Sequence, residues 1–147
     1  METILAGDVG GTKADLSLFA LSPDGGLRPL RHSTFASAEF GSLSELLQYF
    51  LEAESRPPAA AALGVPGPVL GDTIRLTNLP WTIDPDEVSR STGIPQIRFL
   101  NDLAAAARGV LTLGPEDTAI LNPGLEREGH RALIAAGTGL GQSILFW

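Results

Sequence analysis

The chain has 147 residues, enough for one ordinary domain, and 44% of them are hydrophobic, enough to fill a core. A net charge of −7 repels nucleic acid and anionic lipid, so neither is expected as a partner, although backbone amides can hold phosphate without Lys or Arg. The absence of cysteine excludes thiolate metal sites, disulfides and cysteine nucleophiles, and with no leader and no membrane-spanning apolar run legible, the expected location is the cytoplasm.

In chain order, the apolar run Thr3 to Gly7 reads as a buried strand, Asp8 to Thr12 as a glycine turn, and the loosely alternating Ala14 to Leu21 as a second strand. Ser22-Pro-Asp-Gly-Gly is a turn, and Leu30 to Phe35 a third strand. Ser42 to Glu54 is expected to be helical: Ser42 caps it, Glu45 follows three residues later, and Leu43, Leu46, Leu47, Phe50 and Leu51 recur at helical spacing. Pro57 and Pro58 end it. Ala59 to Val65 suits a central strand covered on both faces, broken by Pro66-Gly-Pro. Val69 to Leu76 is expected to form a small hairpin around Gly71-Asp72. Asp84 to Thr92 is a second helix, with Pro85 at its first position and Gly93 at its end. Ile97 to Leu100 is another buried strand, and alanine-rich Asp102 to Leu113 a helix. Thr118 to Leu121, Arg131 to Ala136 and Gln142 to Trp147 read as three further strands. This order predicts an α/β fold: a mixed sheet of ribonuclease H-like topology with flanking helices over residues 1–114, then the first strands of a second domain over 115–147. Trp147 closes an apolar strand with no polar tail, so a fragment of a longer protein is expected.

Four stretches carry candidate chemistry. Asp8-Val9-Gly10-Gly11-Thr12-Lys13 has neither P-loop nor G-x-G-x-x-G spacing. It is a strand ending in a carboxylate, then two residues without side chains, then a hydroxyl. Such a turn can present amide donors to an oxyanion, with the carboxylate holding Mg²⁺ directly or through water. A plain Gly-Gly hairpin turn is the alternative. Asn101-Asp102 stands where a strand ends and a helix begins, the place where α/β sheets put their ligands. A carboxylate there can take a proton from an attacking hydroxyl, and the amide can bond a neighbouring sugar hydroxyl; simple helix capping also accounts for both residues. Gly137-Thr138-Gly139-Leu140-Gly141 is a second strand-to-glycine turn, readable as another phosphate cradle or as a tight hairpin. Thr77-Asn78-Leu79-Pro80-Trp81 sets an amide near an indole, as sugar sites do, but Trp81 itself is better read as a buried anchor of the turn.

Taken in order, these motifs, with Gly-Val-Pro-Gly-Pro between them, resemble the bacterial glucokinase family of the sugar-kinase, actin and heat-shock-chaperone superfamily. The resemblance runs from Gly7 to Gly141 and rests on Gly7-Asp8-Val9-Gly10-Gly11-Thr12, Leu100-Asn101-Asp102-Leu103 and Gly137-Thr138-Gly139-Leu140-Gly141. It implies an actin-like ATPase domain and ATP-dependent phosphorylation of glucose at its 6-hydroxyl. Asp102 matches the catalytic base, and Asn78 and Asn101 match residues that bind sugar hydroxyls. Asp8, Gly10, Gly11 and Thr12 match a first phosphate loop, with Asp8 near Mg²⁺; Gly137, Thr138 and Gly139 match a second. Glucose, ATP and Mg²⁺ are the implied ligands, and since members are often dimers the resemblance raises a homodimer too. Phosphoryl transfer is mostly positioning and charge stabilisation, so no histidine is needed; His32 and His130 read as ordinary surface residues.

Two features depart from the family. Lys13 stands where these kinases often have Asn, and Lys there is more typical of the related repressor, open-reading-frame and kinase group. Members also run to roughly twice this length. The Glu and His that complete their sugar site, and the adenosine pocket, are expected beyond Trp147, so the 147 residues alone are expected to have little or no kinase activity. Three alternatives remain: a sugar-binding regulatory module without catalysis, against which the intact Asp102 argues; a related hexose kinase of the repressor, open-reading-frame and kinase group, against which the wording around Asp102 and Thr138 argues; and a structural ATPase, against which Asn78 and Asn101 argue.

Overall fold

The computed structural model describes residues 1–76, 79–125, 127–136 and 140–147. Contacts divide the chain into two units, Met1–Asp102 and Leu103–Trp147. The alanine-rich helix falls with the second unit, where Leu103 lies so close to Gly141 that a Cβ there would meet its Cδ1 at 2.7 Å.

The first unit is built on a five-stranded sheet. Strands β1 (Thr3–Val9), β2 (Lys13–Leu21) and β3 (Leu27–Ala36) form an antiparallel meander, and β4 (Ala60–Val65) and β7 (Ile97–Asn101) add parallel strands on the other side of β1. The spatial order β3-β2-β1-β4-β7 is the mixed topology expected from the sequence. Helix α1 (Leu43–Leu51) links β3 to β4, and α2 (Pro85–Thr92) lies between β4 and β7 in the chain.

Period-two alternation decides which face is buried. Leu5 and Val9 of β1, Ala14, Leu16 and Leu18 of β2, and Ala61, Leu63 and Val65 of β4 turn to one side. There they meet Leu43, Leu46, Leu47 and Phe50 of α1 and Val88 of α2 in a single core. Both helices of this unit serve that face. On the other face of β4 Ala62 is exposed while Gly64 is buried, so this central strand is covered fully on one side and only in part on the other.

Local chemistry sets the helix ends. Ser42 Oγ accepts from Glu45 N at 3.1 Å while Glu45 Oε2 accepts from Gly41 N at 2.7 Å. Asp84 caps α2 by accepting from Asp86 N and Glu87 N, and the Gly93 amide closes it on Ser89 O at 2.9 Å. The helices are tied by Ser44 Oγ donating to Glu87 Oε2 at 2.6 Å and Gln48 Nε2 donating to Ser91 O at 3.0 Å.

The expected hairpin around Gly71-Asp72 is absent. Short strands β5 (Ile74–Arg75) and β6 (Thr82–Ile83) pair with each other instead, because Ile74 and Ile83 are both apolar and both reach the core. The second unit holds α3, whose full range is Asp102–Val110, and an antiparallel hairpin of β8 (Arg131–Ala136) and β9 (Leu140–Leu145). Thr118 to Leu121, expected as a strand, is exposed irregular chain. Among the described residues no helix is long and apolar enough to cross a membrane.

Candidate functional site

The parallel strands β1, β4 and β7 run the same way, so their C-terminal ends meet along one edge of the sheet. Asp8 pairs with Gly64, and Gly64 with Leu100; one residue further on, Val65 pairs with Asn101. The chain leaves β1 toward β2 on one side and returns to place β4 on the other. Asp8 and Asn101-Asp102 therefore lie beside a reversal of strand order, where open α/β sheets leave a crevice.

Asp8 is exposed at the end of β1, on the face opposite the core. Even so, its carboxyl is held above the ordinary carboxylate range. Partial loss of water around the carboxylate is the main cause, the charges of Asp102 and Asp15 add to it, and Lys13 opposes it. The charge of Asp102, far away in sequence, thus acts on Asp8. An exposed carboxylate oxygen with further carboxylates nearby suits Mg²⁺, which takes hard oxygen ligands and commonly only one or two from protein. No group of three or more His, Cys, Asp or Glu among the described residues could hold a metal by itself.

The Gly10-Gly11-Thr12 turn joins β1 to β2. The Gly10 amide donates to Lys13 O at 2.8 Å, closing the turn, and a Cβ on Gly10 would meet that same oxygen at 3.0 Å. The Gly10 amide is therefore committed to the turn, while the Gly11 amide donates to no described residue. The turn is held from behind by Ser37, which no sequence signal picks out. This serine follows β3, 27 positions from Gly10; its hydroxyl donates to Gly10 O at 2.8 Å and its amide to Thr12 O at 3.1 Å.

Beside the turn, Lys13 pairs with Asp15 at 2.9 Å, and the Thr34 hydroxyl also donates to Asp15. These partners, Thr34 first, hold the Asp15 carboxyl below the ordinary range, and Asp15 in turn raises the Lys13 ammonium. Lys13, the departure from the family wording, is thus engaged along β2. His32 is exposed on the same face, with Nδ1 2.9 Å from Ser17 Oγ and Nε2 3.9 Å from Asp15 Oδ1. His130 is exposed in the second unit, its Nδ1 accepting from Trp147 N at 2.9 Å. Both are surface residues, as read.

At β7, the Asn101 side-chain amide donates to Gly67 O at 3.1 Å. It thereby joins the end of β7 to the Pro66-Gly67-Pro68 break after β4. Asp102 opens α3. Trp81 is buried at 4% exposure, with Nε1 donating to Phe40 O at 3.2 Å, so it is the buried anchor rather than a sugar platform. Asn78, Gly137, Thr138 and Gly139 lie outside the described residues. A cleft of about 600 Å³ opens at the opposite end of β1, between Glu2, Glu54, Arg56 and Pro57, and holds none of the candidate groups.

A family model described as Glucokinase matches residues 5–147. The chain is 38% identical over 147 residues to the glucokinase of Nostoc punctiforme and 37% over 146 residues to that of Mesorhizobium japonicum, covering 99% and 98% of this chain. It spans 43% and 42% of those relatives' lengths. The crystal structure of a glucokinase from an Antarctic psychrotroph superposes with a TM-score of 0.83 at 30% identity, covering 99% of this chain and 47% of that one. A glucokinase from Balamuthia mandrillaris in complex with glucose shares the fold, with a TM-score of 0.69 at 20% identity over 99% of this chain and 44% of that one. With its sheet order, its Gly10–Thr12 turn directly after β1 and a family match over nearly its whole length, the chain belongs to the glucokinase family.

Proposed function

We propose that the protein carrying this chain is a glucokinase that transfers the terminal phosphoryl group of ATP to the 6-hydroxyl of glucose, with Asp102 as general base. The observation that carries this reading is the gathering of Asp8, the Gly10–Thr12 turn and Asn101-Asp102 on one edge of the sheet, in a chain of this family. Asp102 accepts the proton of the attacking hydroxyl as the new O–P bond forms. Asn101 and Asn78 bind neighbouring sugar hydroxyls. Gly11 and Thr12 offer amides, and Thr12 a hydroxyl, to the phosphates, with Gly137, Thr138 and Gly139 as a second cradle. Asp8 would hold Mg²⁺, which when bound neutralises charge on the phosphates. The rest of the sugar site and the adenosine pocket lie in sequence beyond these 147 residues, and the enzyme works in the cytoplasm.

The test is a coupled assay with glucose and Mg-ATP on the protein extended to its relatives' length, with and without Asp102→Asn. That substitution keeps the side chain's shape and removes its basicity. The expected result is a fall in kcat of about 10²- to 10⁴-fold with glucose affinity kept. Undiminished turnover in Asp102→Asn would remove Asp102 from the reaction. No turnover with any hexose in the unsubstituted protein, with sugar binding intact, would favour the regulatory module.

A further inference from the structure

We propose that Ser37 is a positioning residue that aims the Gly11 amide at the phosphates. The proposal rests on the reading of Gly10–Thr12 as a phosphate loop. Ser37 is wholly buried, at 0% exposure, and two of its groups go to that loop: the hydroxyl to Gly10 O at 2.8 Å and the amide to Thr12 O at 3.1 Å. One residue thus grips the carbonyls on either side of Gly11.

The consequence follows from peptide geometry. The bond between Gly10 and Gly11 is trans, since the described residues include no cis peptide, and it is planar. In a trans peptide the C=O of one residue and the N–H of the next point in opposite directions. A hydroxyl that draws Gly10 O inward therefore turns the Gly11 N–H outward. That amide donates to no described residue, as a ligand-binding donor should. Glycine at both positions would otherwise let this peptide flip, because residues without Cβ resist rotation least. The serine removes that freedom from the opposite side, with no side chain placed in the ligand's path.

The grip is itself anchored. Ser37 opens a 3-10 turn over Ser37–Glu39 in which Phe40 N returns to Ser37 O at 3.3 Å. Phe40 O then accepts from the buried Trp81 indole at 3.2 Å, and the Phe40 ring meets Phe35 edge-on at 5.8 Å. A short turn fixed at both ends can hold a loop against the pull of a charged ligand.

Ser37→Ala and Ser37→Thr in the protein extended to its relatives' length test this. In Ser37→Ala, kcat/KM for Mg-ATP should fall about tenfold, the worth of one well-placed hydrogen bond, while KM for glucose and direct glucose binding stay within about twofold. Ser37→Thr keeps the hydroxyl and should recover most of the loss. A general weakening of the fold would instead affect glucose and ATP together. Equal loss toward both ligands, or an unchanged kcat/KM for Mg-ATP, overturns the proposal. If the unsubstituted protein binds no Mg-ATP, the phosphate-loop reading fails first and takes this inference with it; if it is active and only Ser37→Ala is silent, the role of Ser37 alone falls.

Discussion

Asp8 and Asp15 face each other across the β1–β2 ladder, yet their carboxyls are pushed in opposite directions. Asp15 is held low by the Thr34 hydroxyl and Lys13, so the stability it contributes is present above the ordinary carboxylate pKa and is lost as pH falls through its lowered value. Asp8 is held high by partial desolvation and by two like charges. The unfolded chain ionises it at the ordinary value, so folding is penalised increasingly as pH rises from there through the raised value, and the penalty persists above it. Asp8 therefore costs stability at neutral pH, as a group kept for function does. Asp8→Asn is expected to raise Tm at pH 7 by up to a few degrees while abolishing phosphoryl transfer. At about pH 3, below the ordinary carboxylate value, the two melting curves should coincide. Thermal melts at both pH values, beside the coupled assay, check this; a Tm advantage of equal size at both would show that the carboxylate's charge is not its source.

At the scale of elements, the 3-10 turn after β3 links parts that the sequence keeps far apart. Through Ser37 it holds the β1–β2 turn, and through Phe40 it holds Trp81, next to the β5–β6 hairpin. Trp81→Phe keeps an aromatic ring in the core but removes the indole donor and leaves a gap. It should cost about 2 kcal/mol, read as a lower denaturant midpoint at unchanged m-value. An unshifted midpoint would mean that Phe40 O finds another donor. The same elements show what a linear reading can and cannot recover. Strands β1 to β4, β7 and the cap of α1 were legible because each is written locally, in alternation, in an apolar run, or in Ser42 and Glu45. Asp8, Gly10, Asn101 and Asp102 were legible as motifs at strand ends. Ser37 was not, since its function is a contact across 27 positions and a serine after a strand has no signature. The β5–β6 pairing was missed for a related reason. Two-residue strands carry almost no periodicity, and the Gly71-Asp72 turn signal outweighed them. Thr118 to Leu121 is the converse case, a short run that reads as a strand but pairs with no strand among the described residues.

For the whole molecule, the residues from Leu103 onward raise a question of cover. Register puts Ala132, Ile134, Ala136, Leu140, Gln142 and Ile144 on one face of the β8–β9 hairpin, and Ile134, Leu140 and Ile144 are all exposed, as are Phe146 and Trp147. A net charge of −7 limits association between copies at long range but does nothing for apolar surface once two chains touch. A two-stranded hairpin also has little stability of its own in water. The 147-residue chain should therefore bind an apolar dye such as ANS and sediment faster as concentration rises. Replacing Ile134 and Ile144 together with Ser should remove most of both effects, because both residues lie on the same face. The chain extended to its relatives' length should bind far less dye, since the added sequence is more than half of each relative and is available to cover this face. Dye binding that persists undiminished in the extended chain would mark the hairpin as a surface exposed in the working protein, and the cover would then have to come from a second copy.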